Sequence, residues 1–330
     1  MSVRAGVPGF FHGNLARPGS LAYIDAHSPG QGANMIRRQP DFPAEQTAAV
    51  ATFLREPRGR ARRLLTANRK WLNALERRRN SRLAEPALRR HAARIHFPQA
   101  PNLLELLGDD PRPRLLTSYH FGDYIYGANL LGATVNTRAR AIYLSQAPGS
   151  AAYFANMKLA FGETAMGPES RMSAQETSIA GLAPLLRREG IQIITFCDLG
   201  EQFGGRTEVD FLFRKAWFSR GPALLGLTNR IPLLPVVNWF DGSREQVVLG
   251  AQIEPERFGG ETLAQATGRI TAELVRFFEP FFRLNPEQWR YLGALPLYFF
   301  QDGAAGALQS KEKTHASTRQ DPATARSSHR

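Results

Sequence analysis

Apolar residues from Ala44 to Phe97 recur at helical spacing in three stretches, AEQTAAVATFLRE, LLTANRKWLNALERRR and EPALRRHAARIHF. Leu65, Leu72 and Leu75, with Trp71 beside them, mark one buried face, and arginines cover the other. Pro57 and Gly59 separate the first two helices, and Pro86 suits the first turn of the third. Past Pro111 the pattern changes to short apolar runs alternating with helical segments. Strands are expected at Leu115–Tyr119, Arg140–Ser145, IQIITFCD (ending at Asp198), TEVDFLF, IPLLPVVN and QVVLGAQI. In TEVDFLF the alternation puts Val209, Phe211 and Phe213 on one face. Helices are expected just after Asp123, near Ala151–Leu159, over GPALLGLTNR, and over ETLAQATGRITAELVRFFEPFFRL with a bend near Pro280. A further helix is expected over Ser173–Gly190, where Ser173 and Glu176 have capping-box spacing and Gly190 is a natural terminator.

Strands alternating with helices imply an α/β fold, a mostly parallel sheet flanked by helices, preceded here by an N-terminal helical layer. Residues 1–43 are rich in Gly and Pro and read as a flexible N-terminal segment. Residues 44–301 form the expected domain, with 44–98 the basic helical layer and 99–301 the α/β core; 302–330 read as a disordered basic tail.

Composition narrows the class. Hydrophobic residues make up 43% of 330 and charged residues 22%, the balance of a soluble globular chain able to bury a core. The single cysteine, Cys197, excludes an internal disulfide and sits beside an apolar run, so a buried, inert thiol is expected. The N-terminus lacks the apolar region of a signal peptide, and no apolar stretch has the roughly 18 residues needed to span a bilayer. A cytoplasmic protein is expected, peripheral on the inner face of the cell membrane.

The formal net charge of +13 is unevenly spread. Between Arg55 and Arg94, 14 Arg or Lys face three Glu, so 14 − 3 = +11. Such a segment suits an anionic partner: a membrane surface, an acidic carrier or a nucleic acid. Nucleic acid is not favoured, because no reading motif is present and aromatic interleaving stops at Trp71. No Gly-rich phosphate loop, zinc-spaced Cys/His set, HExxH or GxSxG occurs. His91 and His96 lie on a basic helix and read as surface residues.

The candidate chemistry lies in LLTSYHFGDYIYG. In open α/β sheets reactive groups sit where a strand ends and a helix begins. His120 falls there, and Asp123 is the only acid between Asp110 and Glu163. The expected pair is therefore His120 as general base with Asp123 holding its other ring nitrogen. Arg214 and Arg220 flank Trp217–Phe218, and Gly221 opens a helix whose amides suit an anion.

These stretches together resemble the lysophospholipid acyltransferase-like superfamily, especially its lipid A late (lauroyl/myristoyl) acyltransferase branch. His120, Gly122 and Tyr124 fit the HxGxWE frame that opens that family's core. Asp198 in ITFCDLG, the run VDFLFRKAWFSRGPALLGL, Pro235 in IPLLPVV, and Pro286–Glu287–Gln288–Trp289 follow in the family's order. The acid stands three residues after His120 rather than five, and Phe213 stands where a glycine is usual. The resemblance implies transfer of a fatty acyl group from acyl-CoA or acyl carrier protein to a hydroxyl or amine of a lipid or amphiphile, without a further cofactor or metal. His120 and Asp123 would be catalytic, and Gly122, Asp198, Arg214, Ser219, Arg220 and Gly221 would bind substrate. A catalytically degenerate lipid-binding homologue, prompted by the shifted acid, is the alternative.

Overall fold

The computed structural model describes residues 42–80, 85–145, 151–173, 182, 184–200 and 205–298. Its centre is β1 (Arg114–Ser118), buried along its whole length. It is buried because a strand pairs along each of its edges: β4 (Ile191–Phe196) and β7 (Leu233–Phe240), both parallel to it. Near-continuous apolar runs such as LLPVV belong in strands covered on both faces. With β2 (Arg140–Ser145), β3 (Arg171–Ser173) and β8 (Glu245–Leu249), the order is β3-β2-β4-β1-β7-β8. All neighbours are parallel except β7 and β8. The α/β class with a mostly parallel sheet is therefore present. A separate antiparallel hairpin is made by β5 (Arg206–Phe211) and β6 (Arg214–Ser219).

The helices are α1 (Ala44–Leu54), α2 (Arg58–Asn80), α3 (Glu85–Ala92), α4 (Ala100–Asp109), α5 (Tyr124–Val135), α6 (Ala151–Phe161), α7 (Gly221–Asn229) and α8 (Leu263–Leu284). Helix α8 starts with a capping box between Thr262 and Gln265 and runs unbroken through Pro280. Its Ile270, Leu274, Phe278 and Phe282 are fully buried, and Phe278 stacks on Tyr119 at 4.2 Å between ring centroids. Val50, Phe53, Ala61 and Leu65 of α1 and α2 join this same core. The N-terminal helices are thus part of the domain's packing rather than an appended layer.

Three expectations need correcting. Phe213 does not share the buried face of Val209 and Phe211: the hairpin turns at Leu212–Phe213, leaving Phe213 65% exposed. Leu185–Arg187, inside the expected Ser173–Gly190 helix, forms only a short 3-10 turn, and Ser173 itself ends β3. Half of that expected helix, Glu176 of its expected capping box included, lies outside the described residues, as do nearly all of the two expected flexible termini. Neither His91 nor His96 is a surface side chain. His96 is half-buried and its backbone bridges β8, donating to Glu245 O (2.8 Å) and accepting from Val247 N (2.9 Å). His91 is only 10% exposed and pairs with Asp123.

Candidate active site

Strands β1 and β4 run in register to their carboxyl ends, Ser118 opposite Phe196. Cys197 N donates to Ser118 O at 3.1 Å and carries the ladder one step further. The next matched position places His120 against Asp198. His120 Nδ1 lies 2.9 Å from Asp198 Oδ1, and His120 N donates to Oδ2 at 2.8 Å. Trp289 Nε1 donates to the same Oδ2 at 2.8 Å. Asp198 is fully buried, whereas the His120 side chain is 14% exposed. A carboxylate only accepts, so the Nδ1 proton sits between the two groups and the Nε2 lone pair is left as the basic one. The connection after β1 leads toward β2 and that after β4 toward β7, on opposite sides. Such a divergence opens the crevice in which open sheets bind ligands.

Aromatic rings hold the imidazole. Phe196 stacks on it at 4.2 Å, and Tyr124 and Tyr291 meet it edge-on at 4.8 and 5.3 Å. Arg290 donates its backbone N–H to His120 O (2.9 Å) and its Nη1 to the Tyr124 hydroxyl (3.0 Å). Burial, reinforced by the Asp198 charge, pushes the Tyr291 phenol above its usual range. Burial likewise pushes up Tyr298, which donates to Asp198 O at 2.8 Å. The buried Cys197 thiol is raised by the same two causes, so the sequence reading of an inert thiol holds.

The Pro286–Trp289 stretch braces this arrangement from below. Phe121 and Trp289 form an antiparallel bridge. Gln288 clasps Phe240 through both backbone groups, at 2.8 and 2.7 Å. Asn68 of α2, itself buried, donates to Glu287 O (2.8 Å) and Trp289 O (2.7 Å). Gly122 turns the chain at φ +58°, where a Cβ would stand 2.4 Å from Asn238 O. Both facts require glycine.

The expected pairing of His120 with Asp123 is not formed. No helix begins at His120; the left-handed Gly122 intervenes, so residues three apart do not share a face. Asp123 is instead the N-cap of α5, accepting from Tyr126 N at 3.4 Å, and its Oδ2 lies 3.0 Å from His91 Nε2. Asp198, expected to bind substrate, stands where the orienting acid was sought. Ser219 is next to it through the backbone, donating to Cys197 O at 3.1 Å, and Arg220 and Gly221 follow directly. Arg214 is at the far end of β6, about 16 Å along the strand from Ser219 at ~3.3 Å per residue. It packs over the Phe53 ring at 5.1 Å. Arg214 and Arg220 therefore do not grip one anion together.

No family model matches the chain, and no curated protein matches it significantly. The site must be read from its own geometry.

A cavity of about 440 Å³ opens between α2, the start of α5 and the stretch Arg290–Ala294. Tyr124 and Tyr291 line it as well as touching the imidazole, alongside Leu65, Leu72, Arg69 and Arg290. It mixes apolar wall with two cations, Arg69 and Arg290, and one carboxylate, Glu76. Among the described residues no cluster of His, Cys, Asp and Glu could hold a metal ion. Sequence reading missed Asn68, Arg290 and Tyr291, and quoted Trp289 without giving it a role. One signal was available: in parallel neighbours, residues just past the two strand ends face each other, which pairs His120 with Asp198.

Proposed function

We propose that the chain is an acyltransferase that moves a fatty acyl group from acyl-CoA or an acyl carrier protein to a hydroxyl or amine of a lipid or amphiphilic acceptor. The observation that carries this reading is the His120–Asp198 pair, with a basic Nε2 and no competent nucleophile of the protein's own beside it. Among the described residues at these strand ends, Cys197 and Ser118 are both buried. Chemistry at such a site is best served by deprotonating an incoming acceptor.

In the proposed reaction the acceptor O–H or N–H gives its proton to His120 Nε2. Its oxygen or nitrogen attacks the thioester carbonyl. Asp198, held by Trp289 and the His120 amide, stabilises the imidazolium. As the C–S bond breaks, the thiolate leaves and takes the proton back from His120. Tyr124, Arg290 and the adjoining cavity supply donors and space for the substrate. The shifted acid that prompted a degenerate homologue no longer supports that alternative, since Asp198 fills the role from β4.

Thiol release from acyl-CoA, followed with a thiol reagent across a panel of long-chain alcohols, amines and lysolipids, tests this reading. Acceptor-dependent release that vanishes in His120→Ala is expected. Release unaffected by His120→Ala would sink the mechanism. No described helix is long and apolar enough to cross a membrane. A peripheral position on an anionic inner membrane face, with the Arg55–Arg94 segment toward it, belongs to the same proposal.

A further inference from the structure

The β5–β6 hairpin turns on Leu212 and Phe213, at φ +51° and +68°. Two-residue hairpin turns of this hand are normally built from Gly or Asn, because a side chain there is strained. Leu212 is compensated by burial, at 4% exposure. Phe213 is not: its ring is 65% exposed, the most of any large apolar residue among those described. Cations surround it. The Arg55 guanidinium lies 4.5 Å from the ring centroid and that of Arg283 4.0 Å. Leu284, next to Arg283, is 44% exposed, and Arg214 follows Phe213 directly. The acids nearby are matched, Asp210 to Lys215 and Glu279 to Arg283. Arg55 and Arg214 leave the patch cationic.

We propose that this hairpin tip is a membrane-docking site, which places Phe213 and Leu284 at the headgroup level of an anionic bilayer while Arg55 and Arg214 meet lipid phosphates. Strain kept at an exposed aromatic calls for a role outside the fold. Two exposed apolar side chains fall far short of the ~1,000 Å² that a stable protein interface needs. A bilayer needs no shaped counterpart, accepts a single inserted ring, and rewards each added cation. Long arginine side chains reach the phosphates while the apolar groups they flank enter the acyl boundary. The proposal does not rest on acyl transfer, and it adds an apolar anchor at the hairpin tip to the charged segment that begins at Arg55.

The test uses the full chain with vesicles of phosphatidylcholine, alone or mixed with phosphatidylglycerol. Phe213→Gly relieves the backbone strain and removes the ring. Its melting temperature is expected to rise while cosedimentation with the anionic vesicles falls by on the order of tenfold. Phe213→Trp is expected to keep the binding, with emission that shifts to the blue on those vesicles only. Arg55→Gln combined with Arg214→Gln should weaken binding and flatten its salt dependence. Three results would overturn the proposal: wild-type protein that ignores anionic vesicles, Phe213→Gly that binds like wild type, or Phe213→Trp whose emission does not move. Should Phe213→Gly lose both stability and binding, the emission of Phe213→Trp decides. Capture of an acidic carrier protein without any vesicle binding counts against the bilayer.

Discussion

Among the described residues two histidine–aspartate pairs have nearly identical geometry, His120–Asp198 at 2.9 Å and His91–Asp123 at 3.0 Å. Exposure does not separate them: the histidines are 14% and 10% exposed and the acids 0% and 3%. What separates them is the architecture behind each acid. Asp123 caps a helix, and His91, edge-on to Tyr126 at 4.6 Å, ties α3 to the start of α5. Asp198 ends a central parallel strand, is held by Trp289 and faces a crevice. Under the proposed function a His–Asp contact is chemistry in one place and a fastening in the other.

The largest expected effect breaks this symmetry outright. His120→Ala should abolish acceptor-dependent thiol release while leaving stability within about 1 kcal/mol, since the ring is partly exposed. His91→Ala should do the reverse, keeping turnover within a few-fold and costing about 1–3 kcal/mol of unfolding free energy as a nearly buried polar contact is lost. Denaturant melts and turnover of the two variants, measured together, would reveal an exchange of roles.

The acids sharpen the comparison. Asp198→Asn should lower kcat by about 10²–10⁴, the scale of losing an oriented acid–base pair, with KM little changed. Asp123→Asn keeps a capping side chain and should cost less than about 1 kcal/mol of stability, with kcat within tenfold. If Asp123→Asn proved the slower enzyme, the assignment made here would be reversed.

Why sequence reading chose the wrong acid is plain in these residues. Leu115–Ser118 and Ile191–Phe196 were legible as strands because buried parallel strands are written as apolar runs, and the same holds for Leu233–Phe240. That His120 and Asp198 end two such runs was also legible. That the two runs are neighbours was not, because strand order is decided by crossovers and helix packing rather than by local pattern. Proximity along the chain then favoured Asp123. The glycine between them carried a warning: with Gly122 left-handed, helical spacing does not start at His120. Phe213 misled for a related reason, since alternation continues on paper through a turn that ends it in space. Asn68 looked like one polar residue on an arginine-rich helix, and only the fold reveals its two backbone acceptors.

High pH separates the two regions more weakly. Tyr298 donates to Asp198 O, and burial raises its phenol well above the ordinary value of 10.0. The folded state therefore holds a proton that the unfolded chain releases above that value. This contribution is fully present below pH 10 and is lost as pH climbs toward the folded value. Tyr298→Phe should flatten the loss of stability above pH 10, while His91→Ala should leave that slope unchanged. Melts taken from pH 8 to 11 in both variants check this, at about ten-fold steps in hydroxide.

The smallest effect expected is also the one that traces how far the site's support extends. Asn68 touches neither His120 nor Asp198, but it fixes the backbone of Glu287 and Trp289, and Trp289 fixes Asp198. Trp289→Phe removes the indole donor while keeping a ring, and should cut kcat about tenfold for one lost hydrogen bond to a charged acceptor. Asn68→Ala acts one step further out. It should lower kcat by only a few-fold and leave KM alone, because the Asn68 amide donates to the backbone of Glu287 and Trp289 and so acts through the acid's support. Asn68→Asp keeps the size but loses the donor, so it should behave like the alanine variant and not like wild type. If Asn68→Ala raised KM and spared kcat, Asn68 would be acting on the cavity it lines, and the line of support from α2 through Trp289 would end at the tryptophan.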